Sequence, residues 1–247
     1  MTLSIVLPCY NEEGNVEPTV RACFAWMMAA GIPGEVIAVN DGSADQTRKR
    51  LENLTPEFPN LVVVNHETNQ GYGAALRSGC DRAKMEVTVF MDSDGQFHPE
   101  DIALLLNHLD EADFVTGIRK HRADPFNRKL NAAMYGFLVR VALGIKLRDI
   151  NCGMKLWKTA IWKDIRPVRA TGALFNAEIF LHLKQKKIPW AEEMVPHYAR
   201  LTGAQTGANL TVILRMFKEL RELRKDMHAQ HKATLTELGA AATATRS

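Results

Sequence analysis

Short apolar runs at residues 3–7, 35–39, 61–65 and 87–91 alternate with longer stretches of helical spacing, at 16–30 and 44–54. The runs are rich in β-branched residues and bounded by turn formers, so they predict buried strands. Strands alternating with helices predict an α/β fold with a mostly parallel central sheet flanked by helices. Further on, 114–117 and 190–195 predict a second pair of strands. Apolar helices are expected at 130–143 and 172–184. From 209 to 225, Leu210, Ile213, Leu214, Phe217, Leu220 and Leu223 recur at helical spacing, with Arg215, Lys218, Arg221, Arg224 and Lys225 opposite. Residues 229–247 are rich in Ala and Thr and predict a disordered tail.

The four predicted strands of the first half each lead to a segment that can carry chemistry. These are Pro8-Cys9-Tyr10-Asn11-Glu12-Glu13, Asn40-Asp41-Gly42-Ser43, Asn69-Gln70-Gly71-Tyr72-Gly73 and Asp92-Ser93-Asp94. Open α/β sheets bind ligands beyond the carboxyl ends of their strands. The coincidence of all four outweighs any one.

Asp92 and Asp94 follow the apolar run Val89-Phe90-Met91, and both can reach one hard cation such as Mg²⁺ or Mn²⁺. Read blandly, they are two solvated acids in a turn helped by Gly95. An EF-hand is excluded, since its glycine stands sixth and Gly95 stands fourth. Asp41 can accept hydrogen bonds from a base or ribose, while Ser43 or Asp45 caps the next helix. Glu12 and Glu13 suit a helix start as well as a ligand. Gly71-Tyr72-Gly73 is no dinucleotide fingerprint, because Leu76 stands where the third glycine belongs. It reads either as a loop that lets backbone approach a ligand or as a plain turn.

At 247 residues, 46% hydrophobic and 24% charged, the chain suits one large domain, with or without a small appendage. Cys9, Cys23, Cys80 and Cys152 form no CxxC pair and read as reduced thiols. The N-terminal apolar run is too short for a signal peptide, and no uncharged stretch approaches the roughly 18 residues a membrane span needs. A cytoplasmic protein is expected. The net charge of +3 does not point to nucleic acid, but the basic residues gather after Arg119. Arg119-Lys120-His121-Arg122, with Arg128 and Lys129, form either a solvated face or a phosphate site. The segment from Arg200 to Gly207 can close over a pyrophosphate. The 209–225 helix fits docking on the core or lying on an anionic bilayer.

Together, Pro8-Cys9-Tyr10-Asn11-Glu12, Asn40-Asp41-Gly42-Ser43, Gln70-Gly71-Tyr72-Gly73-Ala74-Ala75-Leu76 and Met91-Asp92-Ser93-Asp94-Gly95-Gln96 resemble glycosyltransferase family 2, in the same order. The likeness covers roughly residues 3–225. It implies a GT-A fold, inversion at the anomeric carbon, a nucleotide-diphosphate sugar donor and Mg²⁺ or Mn²⁺. Gly117-Ile118-Arg119, the stretch from Leu147 to Leu156 and Tyr198-Ala199-Arg200-Leu201-Thr202-Gly203 are most similar to dolichyl-phosphate mannose synthases and bacterial polyprenyl-phosphate hexose synthases. The chain departs from that pattern at Asn40, where the family has Asp, and at Asn131-Ala132-Ala133-Met134, which lacks a second acceptor arginine.

The resemblance implies a catalytic domain at 1–207 with an acceptor side near 118–160, an amphipathic helix at 208–228 and a tail at 229–247. It implies metal ligands Asp92, Asp94 and Gln96, with Asp94, Asp92 and Arg200 catalytic. Pro8, Tyr10, Asn11, Glu12, Asp41, Gly71 and Gln96 would bind the donor, and Arg119, Arg128 and Arg122 the acceptor. The acceptor would be a polyprenyl phosphate, met peripherally at the inner face of the cytoplasmic membrane, directly or through a membrane partner protein. A hydroxyl acceptor in polysaccharide or glycolipid synthesis is the main alternative, and would need a general base such as Asp149 or Glu178. A nucleotidyltransferase lacks its glycine-rich signature here, and a nucleotide-sugar-binding subunit would not need both Asp92 and Asp94.

Overall fold

The computed structural model describes residues 1–120, 126–170, 172, 174–200, 220–222 and 225, with backbone alone for 126–133 and 135. The strands are β1 (Leu3–Cys9), β2 (Gly34–Asp41), β3 (Leu61–His66), β4 (Val87–Met91), β5 (Phe114–Lys120), β6 (Met154–Lys158) and β7 (Trp190–Pro196). The helices are α1 (Val16–Ala29), α2 (Thr47–Leu54), α3 (Tyr72–Cys80), α4 (Ile102–Leu106), α5 (Phe126–Leu143), α6 (Trp162–Ile165) and α7 (Phe175–Lys186).

The strands form one sheet in the order β3-β2-β1-β4-β6-β5-β7. β1 pairs in parallel with β2 and β4, and β5 in parallel with β7. β6 alone runs antiparallel to its neighbours. The expected pairing of 114–117 with 190–195 is present.

Alternation along each strand supplies two cores. Leu3, Ile5, Leu7, Val36 and Ala38 face the layer of α1, α2 and α4. Val6, Ile37 and Val39 face that of α3, α5, α6 and α7. Burial on both faces explains why these strands read as continuous apolar runs. At Gly79 a Cβ would overlap Val6, so only glycine lets α3 lie this close to β1.

Three expectations change. The segment after Gly71 is a helix, not a loop: Gly71 has φ 99°, the Asp41 carboxylate holds its amide, and α3 starts at Tyr72. α2 begins at Thr47 rather than at 44, where Asp45 Oδ1 accepts the Thr47 N–H at 2.9 Å. β6 was not foreseen; Lys155 and Lys158 interrupt its apolar pattern. Arg122, the tail at 229–247, the boundary at 207 and all but residues 220–222 and 225 of the helix expected at 208–228 lie outside the described residues. Within that helix, Leu220 is buried in the α5–α7 core while Arg221 is exposed.

Candidate active site

The carboxyl ends of β1, β2, β4 and β5 share one rim of the sheet, and β6 brings its starting end to the same rim. The first two loops are stapled together. Asn11, in the left-handed region at φ 55°, donates its N–H to Ser43 Oγ at 3.0 Å and accepts that of Ala44 at 2.9 Å. The Glu12 N–H donates to Thr47 Oγ1 at 2.8 Å, the Glu13 N–H donates to Asp45 Oδ2 at 3.1 Å, and Glu13 Oε2 accepts the Gln46 N–H at 3.0 Å. Pro8 holds the start of this rim through its carbonyl, which accepts Ser93 Oγ at 2.7 Å. Tyr10 is exposed beside it.

Asp41 is almost wholly buried. Its carboxylate accepts the N–H groups of Gln70 and Gly71 at 2.9 and 2.8 Å and contacts His66 Nδ1 at 2.7 Å. The other ring nitrogen of His66, Nε2, lies 2.9 Å from Ser78 Oγ, so the ring bridges Asp41 and α3. Three of about four lone-pair positions on Asp41 are thus engaged within the protein. Asn40, where the family has Asp, donates to Asn65 Oδ1 at 3.0 Å and accepts the Ser43 N–H at 3.1 Å. Only an amide serves both partners.

Asp92 and Asp94 come together beyond β4. Asp92 Oδ1 accepts the Tyr72 hydroxyl at 2.8 Å, and the Asp92 N–H donates to Gly153 O at 3.0 Å. A Cβ on Gly153 would overlap the Asp92 carboxylate, so glycine is required there. Burial, then the charge of Asp94, pushes the Asp92 carboxyl up to about 7. Asp94 accepts the Gln96 N–H at 3.1 Å and the Arg200 guanidinium at 3.3 Å. Arg200 also pairs with Glu12, whose carboxyl burial raises. The strap that delivers Arg200 is pinned by Gln96, which donates from Nε2 to Tyr198 O at 3.2 Å and accepts the Tyr198 N–H at 3.0 Å. Tyr198 stacks on His98 at 3.9 Å. The Gln96 amide thereby faces the strap.

Two carboxylates, Glu12 and Asp94, thus pair with one guanidinium, and Asp92 lies close enough to Asp94 to feel its charge. Burial is the main cause of the rise at Asp92 and the neighbouring charge of Asp94 the second, while Tyr72, Arg119 and Lys155 oppose it. Among the described residues no group of three or more His, Cys, Asp or Glu side chains is gathered closely enough to hold a metal ion alone. Two carboxylates with the remaining positions left to phosphate and water is the usual arrangement for Mg²⁺.

On the other side of β4, Arg119 makes a bidentate pair with Asp149, at 2.7 Å from Nε and 2.8 Å from Nη2. Arg128 lies in α5, described there by its backbone alone. Asp149 is therefore committed to Arg119. Glu178 is committed as well, accepting the N–H groups of Val168, Arg169 and Ala170 at 2.7 to 3.0 Å. Neither carboxylate is poised as a general base. α5 exposes Met134, Phe137 and Val141 on one stripe, with Arg140 exposed beside it.

Sequence reasoning missed Tyr72 as a partner of Asp92, although it sits inside a quoted motif. It also missed Lys155, and Gly153 and the Tyr198 clamp, whose partners Asp92 and Gln96 are 60 or more residues away in the chain.

The sequence pattern described as glycosyl transferase family 2 matches residues 4–166. A dodecaprenyl-phosphate galacturonate synthase of Rhizobium johnstonii is 30% identical over 227 residues, 90% of this chain and 65% of that protein. A dolichyl-phosphate beta-glucosyltransferase of Trichomonas vaginalis is 29% identical, over 63% of this chain and 52% of that protein. An undecaprenyl-phosphate 4-deoxy-4-formamido-L-arabinose transferase of Pectobacterium carotovorum is 29% identical, over 64% and 49%. The chain thus spans about half to two thirds of the length of these relatives. Glucosyl-3-phosphoglycerate synthase of Mycobacterium tuberculosis, crystallised with Mn²⁺ and UDP-glucose, shares the fold, with a TM-score of 0.63 at 18% identity over 90% of this chain and 76% of that one.

Proposed function

The chain belongs to glycosyl transferase family 2, and from that premise we propose that it moves a hexose from a nucleoside-diphosphate sugar to a polyprenyl phosphate. The observation that carries this reading is the meeting of Asp92, Asp94, Glu12 and Arg200 beyond β1 and β4, with Arg119 on the far side of Asp92. The names of the relatives, each a polyprenyl- or dolichyl-phosphate sugar enzyme, support the acceptor.

In this reading Asp92 and Asp94 hold Mg²⁺ or Mn²⁺. When bound, the cation supplies Lewis-acid stabilisation of the charge that grows on the leaving diphosphate. Arg200, delivered by the Tyr198 clamp, adds a second positive charge on the same phosphates. Pro8, Tyr10, Asn11 and Glu12 border the nucleoside, while Asp41 and Gly71 act through the shape of the loop they build together. Gln96 acts by placing Arg200. Arg119, aimed by Asp149, receives the acceptor phosphate, with Arg128 and Arg122 on the chain that follows.

A hydroxyl acceptor needs a base to take its proton, whereas a phosphate acceptor is already an anion. The commitment of Asp149 and Glu178 to structural bonds supports the phosphate. Among the described residues no helix is long and apolar enough to cross a membrane. The exposed apolar stripe of α5, beside Arg140, supports contact with an anionic bilayer surface where a lipid-linked acceptor resides.

The test is nucleoside-diphosphate release from GDP-mannose, UDP-glucose and UDP-N-acetylglucosamine, with Mn²⁺ or Mg²⁺, with and without a short polyprenyl phosphate. Release that needs both metal and lipid is expected. Metal-dependent release indifferent to the lipid would move the acceptor to a hydroxyl.

A further inference from the structure

One buried cation has no part in the chemistry above. Lys155, in β6, is fully buried. Its ammonium donates to Cys152 O at 2.5 Å and lies 5.3 and 6.0 Å from the ring centres of Phe90 and Phe180. Burial pulls it down to about 8. Wholly buried charge is unfavourable unless it is compensated, and a Met or Leu would fill this box more favourably. The charge therefore calls for a reason.

The reason lies in the turn that Lys155 holds. The turn from Asp149 to Gly153 touches both sides of the site. At one end Asp149 grips the Arg119 side chain bidentately and its backbone N–H at 3.2 Å. In the middle, Cys152 packs on Gly117, where an added Cβ would stand 2.8 Å from the thiol sulfur. At the other end Gly153 accepts the Asp92 N–H and yields the space its carboxylate fills. Asp149 and Asp92 are also the carboxylates whose charge Lys155 feels. One short turn thus sets the position of a donor-side acid and an acceptor-side cation.

We propose that Lys155 is a positioning residue that fixes the Asp149–Gly153 turn, so that Asp92 and Arg119 are held in a constant relation during transfer. The kinetic part rests on the reading of Arg119 as the acceptor-phosphate contact; the part concerning the turn does not. Without the ammonium, the Cys152 carbonyl loses its donor and Asp149 its compensating charge. The turn loosens, and Arg119 loses its aim first.

The test uses the full chain with Lys155→Met, which keeps the apolar stem. Alkylation of the cysteines by iodoacetamide, followed by mass spectrometry, reports on the turn directly. Cys9, Cys23, Cys80 and Cys152 are all buried and free, so three of them are internal controls. We expect Cys152 to react about tenfold faster in the variant while Cys9, Cys23 and Cys80 keep their rates. In the transfer assay the KM for polyprenyl phosphate rises several-fold while the KM for the donor changes less than twofold. Lys155→Gln, shorter by one bond and uncharged, gives the same pattern if the Met variant does not fold. Equal acceleration at all four cysteines, or no acceleration at Cys152, overturns the proposal. A wild-type protein without lipid-stimulated release defeats the acceptor reading, and the alkylation result still decides the role of Lys155.

Discussion

The two halves of the rim are built differently. On the proposed donor side, acids at the ends of β1, β2 and β4 are fixed by backbone amides and short side-chain bonds between adjacent loops. On the proposed acceptor side, Arg119 is fixed by an acid 30 residues along the chain, and an apolar stripe is left exposed on α5. The nucleotide end of a donor is rigid and repeats from enzyme to enzyme, so local motifs suffice to shape its site. Under the proposed function, a lipid-linked phosphate offers one anionic group at the edge of an apolar medium, and a single aimed cation beside an apolar face would match it.

Asp94→Asn strikes the donor side hardest. It should cost about two to three orders of magnitude in turnover, the range for removing a group that stabilises transition-state charge. Circular dichroism should show the fold intact; undiminished activity in the folded variant would defeat the metal assignment.

A pair of glycine variants separates chemistry from scaffold. In Gly153→Ala the new methyl displaces the Asp92 carboxylate, so kcat should fall at least about tenfold, equivalent to 1.4 kcal/mol in the barrier. Gly79→Ala forces α3 off Val6 and should lower unfolding free energy by about 1–3 kcal/mol, with kcat of the folded fraction retained. Denaturant midpoints and initial rates on both variants decide whether these effects divide as stated.

Glu178→Gln should destabilise by about 1–3 kcal/mol, since one buried carboxylate serves three backbone amides. Its activity per folded molecule should stay at the wild-type level. A selective loss of kcat would restore Glu178 as a base and break the acceptor argument.

A smaller effect concerns pH. The folded carboxyl of Asp92 stands near 7 against an ordinary 3.8, so between these values the folded protein binds more protons than the unfolded chain. The contribution of this group to stability is then least unfavourable below pH 4, falls as pH rises toward 7, and is level above. A divalent cation binds the ionised form. The gain in Tm on adding Mn²⁺ should therefore be larger at pH 8 than at pH 5; equal gains would remove Asp92 from the metal site.

Least of all should stability respond to Phe137→Ser on α5, within about 0.5 kcal/mol, because the ring is already 63% exposed. Association with anionic vesicles should weaken. Unchanged vesicle binding would take α5 out of the membrane contact.

The donor side was legible in the sequence because its information is local. β1, β2 and β4 are buried on both faces, β3 is a half-buried edge strand, and all four lead to short polar segments, so period and punctuation mark them. Asp92 and Asp94 stand out at the end of such a run. α3 was hidden because Gly71, Gly73 and Gly79 look like loop residues, and the need for Gly79 is set by Val6, more than 70 residues earlier. β6 was hidden because Lys155 occupies a core position that the apolar pattern assigns to a hydrophobe. The pairs Arg119–Asp149 and Gln96–Tyr198 were out of reach because nothing in spacing joins residues on distant segments of the chain. The same distance conceals that Asp149 and Glu178 are spent: a carboxylate in a sequence does not show what it is bonded to.

The reversed direction of β6 carries a consequence for how such enzymes can be remade. Residues 114–158 hold β5, α5, the Asp149–Gly153 turn and β6, and they meet the donor half along a seam of five antiparallel residue pairs with β4. That seam ends at Met91 and Met154, next to the one glycine that must accommodate Asp92. An exchange of the block between relatives must therefore keep a glycine at 153 and the pairing of β5 with β7; under the proposed function it would carry the acceptor preference and leave the Asp92–Asp94 site unchanged.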